Sequence, residues 1–160
     1  MYLYLGGDQH YRIENIADAA KFVRALPLLL DKDDHLVFSS YGSPSEISDF
    51  LAAHQLPPDE FVSGERERLS AYLDEYPQSF AVLFPCEPAL LDRLGELITP
   101  TTDGIDLCHH VHGYGPRGSL FCFHDPFVDP LHISTRIPQE RVEAFCRATG
   151  GVFSIRDGPV

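Results

Sequence analysis

Histidine and cysteine are the side chains here that can hold a transition metal or move a proton near neutral pH, and they are not evenly spread. Five of the eight histidines (His109, His110, His112, His124 and His132) and two of the four cysteines (Cys108 and Cys122) fall within residues 103–135. Zinc takes imidazole nitrogens and thiolates at the corners of a tetrahedron, so such a concentration matters if the fold gathers the side chains on one surface.

Two strands would do the gathering. Residues 106–112 and 119–124 alternate in character and flank the sequence GYGPRG. Pro116 suits the first central position of a type I turn, and Gly118 suits the left-handed position after it, which predicts a three-residue loop of Pro116, Arg117 and Gly118. Gly115 then faces Ser119, and the register sets Val111 opposite Phe123, His112 opposite Cys122 and His110 opposite His124. Because side chains alternate, one face receives Leu107, His109, Val111, Phe121 and Phe123. The other receives Cys108, His110, His112, Leu120, Cys122 and His124. From that second face His110, His112, Cys122 and His124 are the candidate metal ligands, with zinc the candidate ion. A one-residue slip would divide the set between faces and remove the site. The ordinary alternative is a polar ribbon face turned to solvent or packed under a helix, and the spacing matches no standard zinc signature.

Other stretches with chemical character are less complete. His132-Ile133-Ser134 resembles half of the signature of the two-histidine phosphoesterases, which use two His-x-Ser/Thr motifs, one histidine as base and one as acid. The resemblance implies a strand-borne His132; the chain has no second such motif to complete the pair. His124 and Asp125, with Asp129 and His132 nearby, have the composition of a base and its orienter, and Cys122 that of a nucleophile beside His124. Adjacent strand residues point to opposite faces, however, and Pro126 and Pro130 mark the intervening HDPFVDP as a loop. Ser43 reads as a helix cap. Gly6-Gly7-Asp8 lacks the glycine pattern of a dinucleotide loop. No catalytic residue and no organic cofactor site is assigned.

Around the ribbon, periodicity predicts strands at 2–5, 36–40, 80–84, 131–135 and 152–155. Helices are predicted at 16–26, capped by Asn15 and ended or kinked by Pro27; from Ser43 to 54; and at 65–76, 88–98 and 138–149. The expectation is an α/β (α+β) fold in one globular domain over residues 1–160, with a mixed β-sheet, flanking helices and a C-terminal antiparallel ribbon.

Bulk properties narrow the function. With 160 residues, 44% of them hydrophobic, the chain can bury one core. Its 24 acidic residues against 12 basic ones give a net charge of −12, which disfavours nucleic acid and anionic membrane surfaces as partners and favours a basic protein or a cation. No run approaches the roughly 20 apolar residues of a membrane span, and the opening MYLYLGGDQHYRIEN has no basic n-region. A cytoplasmic location is expected. The leading functional expectation is therefore a small acidic binding or regulatory protein of the immunity type, without catalysis of its own, that masks a basic partner. The alternative is a zinc-dependent hydrolase built on the His/Cys face of the 106–124 ribbon. A third is a subunit that pairs with a second copy through a strand edge.

Overall fold

Residues 5, 7–40, 45–61, 80–98, 109–158 and 160 are described by the computed structural model. Alternating and helical periodicity sort them into seven strands and four α-helices. The strands are β1 (Gln9–Glu14), β2 (His35–Ser40), β3 (Phe80–Pro85), β4 (His110–Gly115), β5 (Gly118–His124), β6 (Leu131–Ser134) and β7 (Val152–Asp157). The helices are α1 (Ala19–Leu29), α2 (Glu46–Ala53), α3 (Pro88–Leu97) and α4 (Gln139–Thr149). All seven strands join one sheet in the order β3-β2-β4-β5-β6-β1-β7, and every strand pairing is antiparallel. The fold is thus the expected single-domain α+β arrangement, with an antiparallel sheet where a mixed one was expected. No described helix is long and apolar enough to cross a membrane.

The helices cover one face of the sheet. In α1, Ala19, Phe22, Val23, Leu26 and Leu29 recur at helical spacing and are buried, and α1 packs between α3 and α4. Under these helices lie Phe38, Phe84, Val111, Phe121, Phe123, Leu131, Ile133 and Ile13, contributed by β1 to β6. Six phenylalanines there are fully buried: Phe22, Phe38, Phe84, Phe121, Phe123 and Phe145. At roughly 1.5–3 kcal/mol for each large apolar side chain removed from water, this face dominates the folding energy. The opposite face has a smaller apolar cluster of Val37, Leu83, Phe61 and Tyr114. Residues 54–61 pass over it, where the Leu56 N–H donates to the Leu83 carbonyl at 2.8 Å. β3 is therefore covered on both faces, as its unbroken apolar run predicts.

Several local expectations are corrected. The expected first strand at 2–5 lies almost wholly outside the described residues; the strand that β1 forms is Gln9–Glu14, whose Tyr11 and Ile13 face the core. Helix α1 starts at Ala19, not Ile16. Asn15 takes a left-handed φ of +66°, and the cap is Asp18, which accepts the Lys21 N–H at 3.0 Å. Pro27 sits inside the last turn without ending it; Leu26 and Leu29, both buried, hold that turn on the sheet. The expected cap Ser43 lies outside the described residues. Helix α2 is capped instead by Ser45, reciprocally with Ser48: the Ser45 N–H donates to Ser48 Oγ at 2.7 Å and the Ser48 N–H to Ser45 Oγ at 3.2 Å. The expected helix at 65–76 lies outside the described residues. Helix α4 ends as predicted, at Gly150 with φ +78°.

The β4–β5 ribbon combines a tighter tip with a bulge. Gly115 pairs with Gly118 and Tyr114 with Ser119, which leaves only Pro116 and Arg117 in the connection. One residue further in, Gly113 pairs with Phe121, so Leu120 is the extra residue of a β-bulge. From there inward the pairs are His112 with Cys122, Val111 with Phe123 and His110 with His124, as the sequence predicted. The bulge corrects one placement: Leu120 packs against the main core and not on the histidine face.

Gly113 leaves space for the Phe121 ring; a Cβ there would collide with ring carbons of Phe121. Gly113→Ala should lower stability by about 1–3 kcal/mol through overpacking of a filled core. In chemical denaturation the midpoint should fall at constant slope, and an unchanged midpoint would refute the packing described.

Candidate metal centre

Three of the four candidate ligands come together. His110 and His112 project from β4 and His124 from β5, all on the face away from the helices, because Val111 and Phe123 are claimed by the core. One ring nitrogen from each lies within 4.8 Å of the others. The His110 and His124 rings are 4.7 Å apart between centroids, His112 and His124 are 5.2 Å apart and nearly stacked, and His110 and His112 are 6.1 Å apart. A tetrahedral zinc with bonds of 2.0–2.1 Å needs nitrogens about 3.3 Å from one another, so the three rings would close in around a bound ion.

Cys122 is the member that stays out of the cluster. Its Cα faces His112, but its side chain lines an adjoining cavity with His124 and His132. Burial pushes its thiol up to about 12, so it is a protonated group at neutral pH and a poor nucleophile. Burial likewise raises the thiols of Cys86 and Cys146, to about 12 and about 11. Cys108, on the same expected face, lies outside the described residues.

The electrostatics of the triad favour neutral ligands. Burial, then the proximity of His124, lowers His110 from an ordinary 6.5 to about 4. His112 is lowered well below its ordinary value by burial, then by His124 and His110. His124 is lowered by burial, against the opposing pull of Asp125 and Asp129. All three imidazoles are therefore unprotonated at neutral pH, the form that binds metal.

His112 is also oriented for ligation. Its Nδ1 lies 3.2 Å from the Tyr114 hydroxyl. A proton on Nδ1 would be donated to that oxygen and leave Nε2 its lone pair, whereas a proton on Nε2 would let the hydroxyl donate to Nδ1. Nε2 is buried and has no hydrogen-bond partner among the described residues. A buried acceptor left unpaired costs about 1–3 kcal/mol, and a metal ion is one group that would satisfy it. Tyr114 is itself fixed by an edge contact with Phe61 at 5.3 Å. A hydrogen bond at the second ring nitrogen orients the imidazole, as outer-shell partners do for metal-binding histidines.

Sequence reasoning missed the neighbours of the triad. Tyr114 could have been found, since it lies two residues from His112 and so shares its face. His10 and Arg12 could not, because they stand on a strand that the sequence reading placed elsewhere. In the sheet, Val37, His112, Cys122, His132, Arg12 and Ser154 form one cross-strand row. His132 is lowered to about 4, mainly by burial and then by His10 and Arg12. Its ring lies 5.0 Å from that of His10, whose Nδ1 is 3.1 Å from the Gly158 carbonyl. His132 therefore joins the same face through β6 but stands apart from the triad. The segment between His124 and β6 is a loop, as Pro126 and Pro130 predict, with Asp125 and Phe127 at positive φ. Among the described residues no hydrogen bond joins the Asp125 carboxylate to the His124 ring, although its charge acts on that ring; the Asp125 N–H donates to the His109 carbonyl at 2.9 Å.

No known protein family, curated protein or solved structure matches this chain.

The lowered histidines make stability pH-dependent. The unfolded chain binds their protons near pH 6.5, while folded His110 binds only near pH 4. Their contribution is therefore complete above about pH 6.5 and is lost as pH falls toward 4. Thermal melting of metal-free protein should show this decline, and a His110→Gln/His112→Gln variant should have a clearly flatter profile. Equal slopes in the two proteins would contradict the burial of these rings.

Proposed function

We propose that this chain is a zinc-dependent hydrolase whose metal is held by His110, His112 and His124. The observation that carries the reading is the clustering of His110, His112 and His124, with one ring nitrogen of each within 4.8 Å of the others, and with a buried His112 Nε2 that has no hydrogen-bond partner among the described residues. Imidazole ligands suit zinc among the divalent ions. Three protein ligands, with no fourth in the group among the described residues, match catalytic zinc sites, which keep one position open, and differ from closed structural sites. When bound, zinc would supply an acidified water and a Lewis acid. The chain's own contribution is to hold three neutral imidazoles on one rigid ribbon and to fix their orientation from below with the packed core.

The net charge of −12 supports this reading by raising the local concentration of cations. It equally supports the other reading, a non-catalytic binding protein for a basic partner, but a net charge selects no residues, whereas the triad does.

Protein purified without chelator should contain about one zinc per chain by elemental analysis, and His110→Ala/His112→Ala should remove it. Zinc at about 100 times its dissociation constant should stabilise the metal-free form by about 2.7 kcal/mol. Wild-type protein that takes up no zinc and melts identically with and without it would end the proposal.

A further inference from the structure

Beside the triad lies a cavity of about 310 Å³ lined by Arg12, Cys122, His124, Asp129, Pro130, His132 and Val160. We infer that this cavity, given the metal reading above, is the substrate pocket of the site and that it takes a small carboxylate, bound by Arg12 and His132.

The placement follows from the sheet. His124 belongs both to the triad and to the cavity wall, so a molecule in the cavity lies against a metal ligand. Cys122, His132 and Arg12 are cross-strand neighbours on β5, β6 and β1. Adjacent strands are about 4.8 Å apart, so Arg12 stands about 10 Å from the β5 wall. A ligand of a few heavy atoms spans that distance, with one end at Arg12 and the other beside His124.

The chemistry of the wall selects the ligand. Arg12 is one of only 12 basic residues in a chain with 24 acidic ones. Its Nε and Nη2 both donate to a single oxygen of Glu14, at 3.2 and 2.9 Å, and Nη1 has no hydrogen-bond partner among the described residues. Both partners are well exposed, 38% for Arg12 and 53% for Glu14. Such a surface ion pair contributes little, so a ligand carboxylate can displace it and take the planar guanidinium in a two-point contact. Nδ1 of His132 is buried and has no hydrogen-bond partner among the described residues; it would bond a polar atom of the ligand. Asp129 on the same wall adds negative charge near Arg12, which disfavours a phosphate dianion and favours a monoanion that carries a hydroxyl or amine donor.

The test is calorimetric titration of acetate, and separately of inorganic phosphate, into zinc-loaded protein whose zinc content is measured in each sample. Acetate should bind, and more tightly than phosphate. Arg12→Gln should weaken acetate at least about tenfold with zinc content unchanged. His132→Ala should weaken it with zinc also retained. Glu14→Gln, which frees Arg12, should tighten it a few-fold. Zinc-loaded protein that fails to bind acetate, or binds it equally in wild type and Arg12→Gln, overturns the pocket and leaves the metal reading standing. Phosphate binding more tightly than acetate overturns the choice of carboxylate. Wild-type protein that binds no zinc overturns the metal reading, and this proposal with it.

Discussion

Burial of Val111, Phe121 and Phe123 beneath α1 is the constraint on which the rest of the molecule depends. These three side chains occupy one face of β4 and β5, and the ring of Phe22 meets that of Phe123 edge-on at 5.1 Å. Strand geometry then leaves no freedom to the residues between them. His110, His112, Cys122 and His124 must emerge on the other side, opposite the helices. The candidate metal centre is thus a by-product of hydrophobic parity: the energy that fixes it is spent on phenylalanines the site never touches. Its stiffness comes from the same source, since turning any of the imidazoles to the other face would expose a fully buried ring.

Much of this was legible in the sequence, for a reason that can be stated residue by residue. Val111, Phe121 and Phe123 have a period of two across a glycine- and proline-marked turn, which is enough to set the register at His110 and His112. The turn is one residue shorter than its sequence predicts, and the bulge at Leu120 compensates for it. A bulge has no strong sequence signature, because it answers to crowding in three dimensions, here the Phe121 ring filling the space above Gly113. β1 was illegible for a different reason. The segment Gln9–Glu14 carries only two core residues, Tyr11 and Ile13, among charged and polar ones, so its alternation is faint until the neighbouring strands supply the context. With β1 went His10 and Arg12, the far end of the polar face. The caps of α1 and α2 shifted because several Asn, Asp and Ser residues compete for each helix start, and the choice is made by how the incoming chain leaves its strand.

The burial of so many imidazoles is costly to the apo fold. His110, His112, His124 and His132 are all displaced toward the neutral form, and at least two ring nitrogens, on His112 and His132, lack a partner among the described residues. Natural interiors leave few such groups unsatisfied. Their concentration on one face of one sheet, in a molecule whose other face is packed almost wholly with hydrocarbon, divides the fold into a side that supplies stability and a side that carries unspent chemistry.

The loop after β5 joins those two sides mechanically. Phe127 holds a left-handed φ of +72°, a conformation a bulky residue adopts only under compulsion. Its ring meets Phe22 at 5.8 Å and Phe123 at 5.4 Å, so it is clamped to the helix layer. Two residues later, Asp129 forms part of the wall beside His124 and His132. The loop therefore belongs to both sides of the sheet: its aromatic ring is part of the helix layer, and its carboxylate two residues on is part of the polar wall.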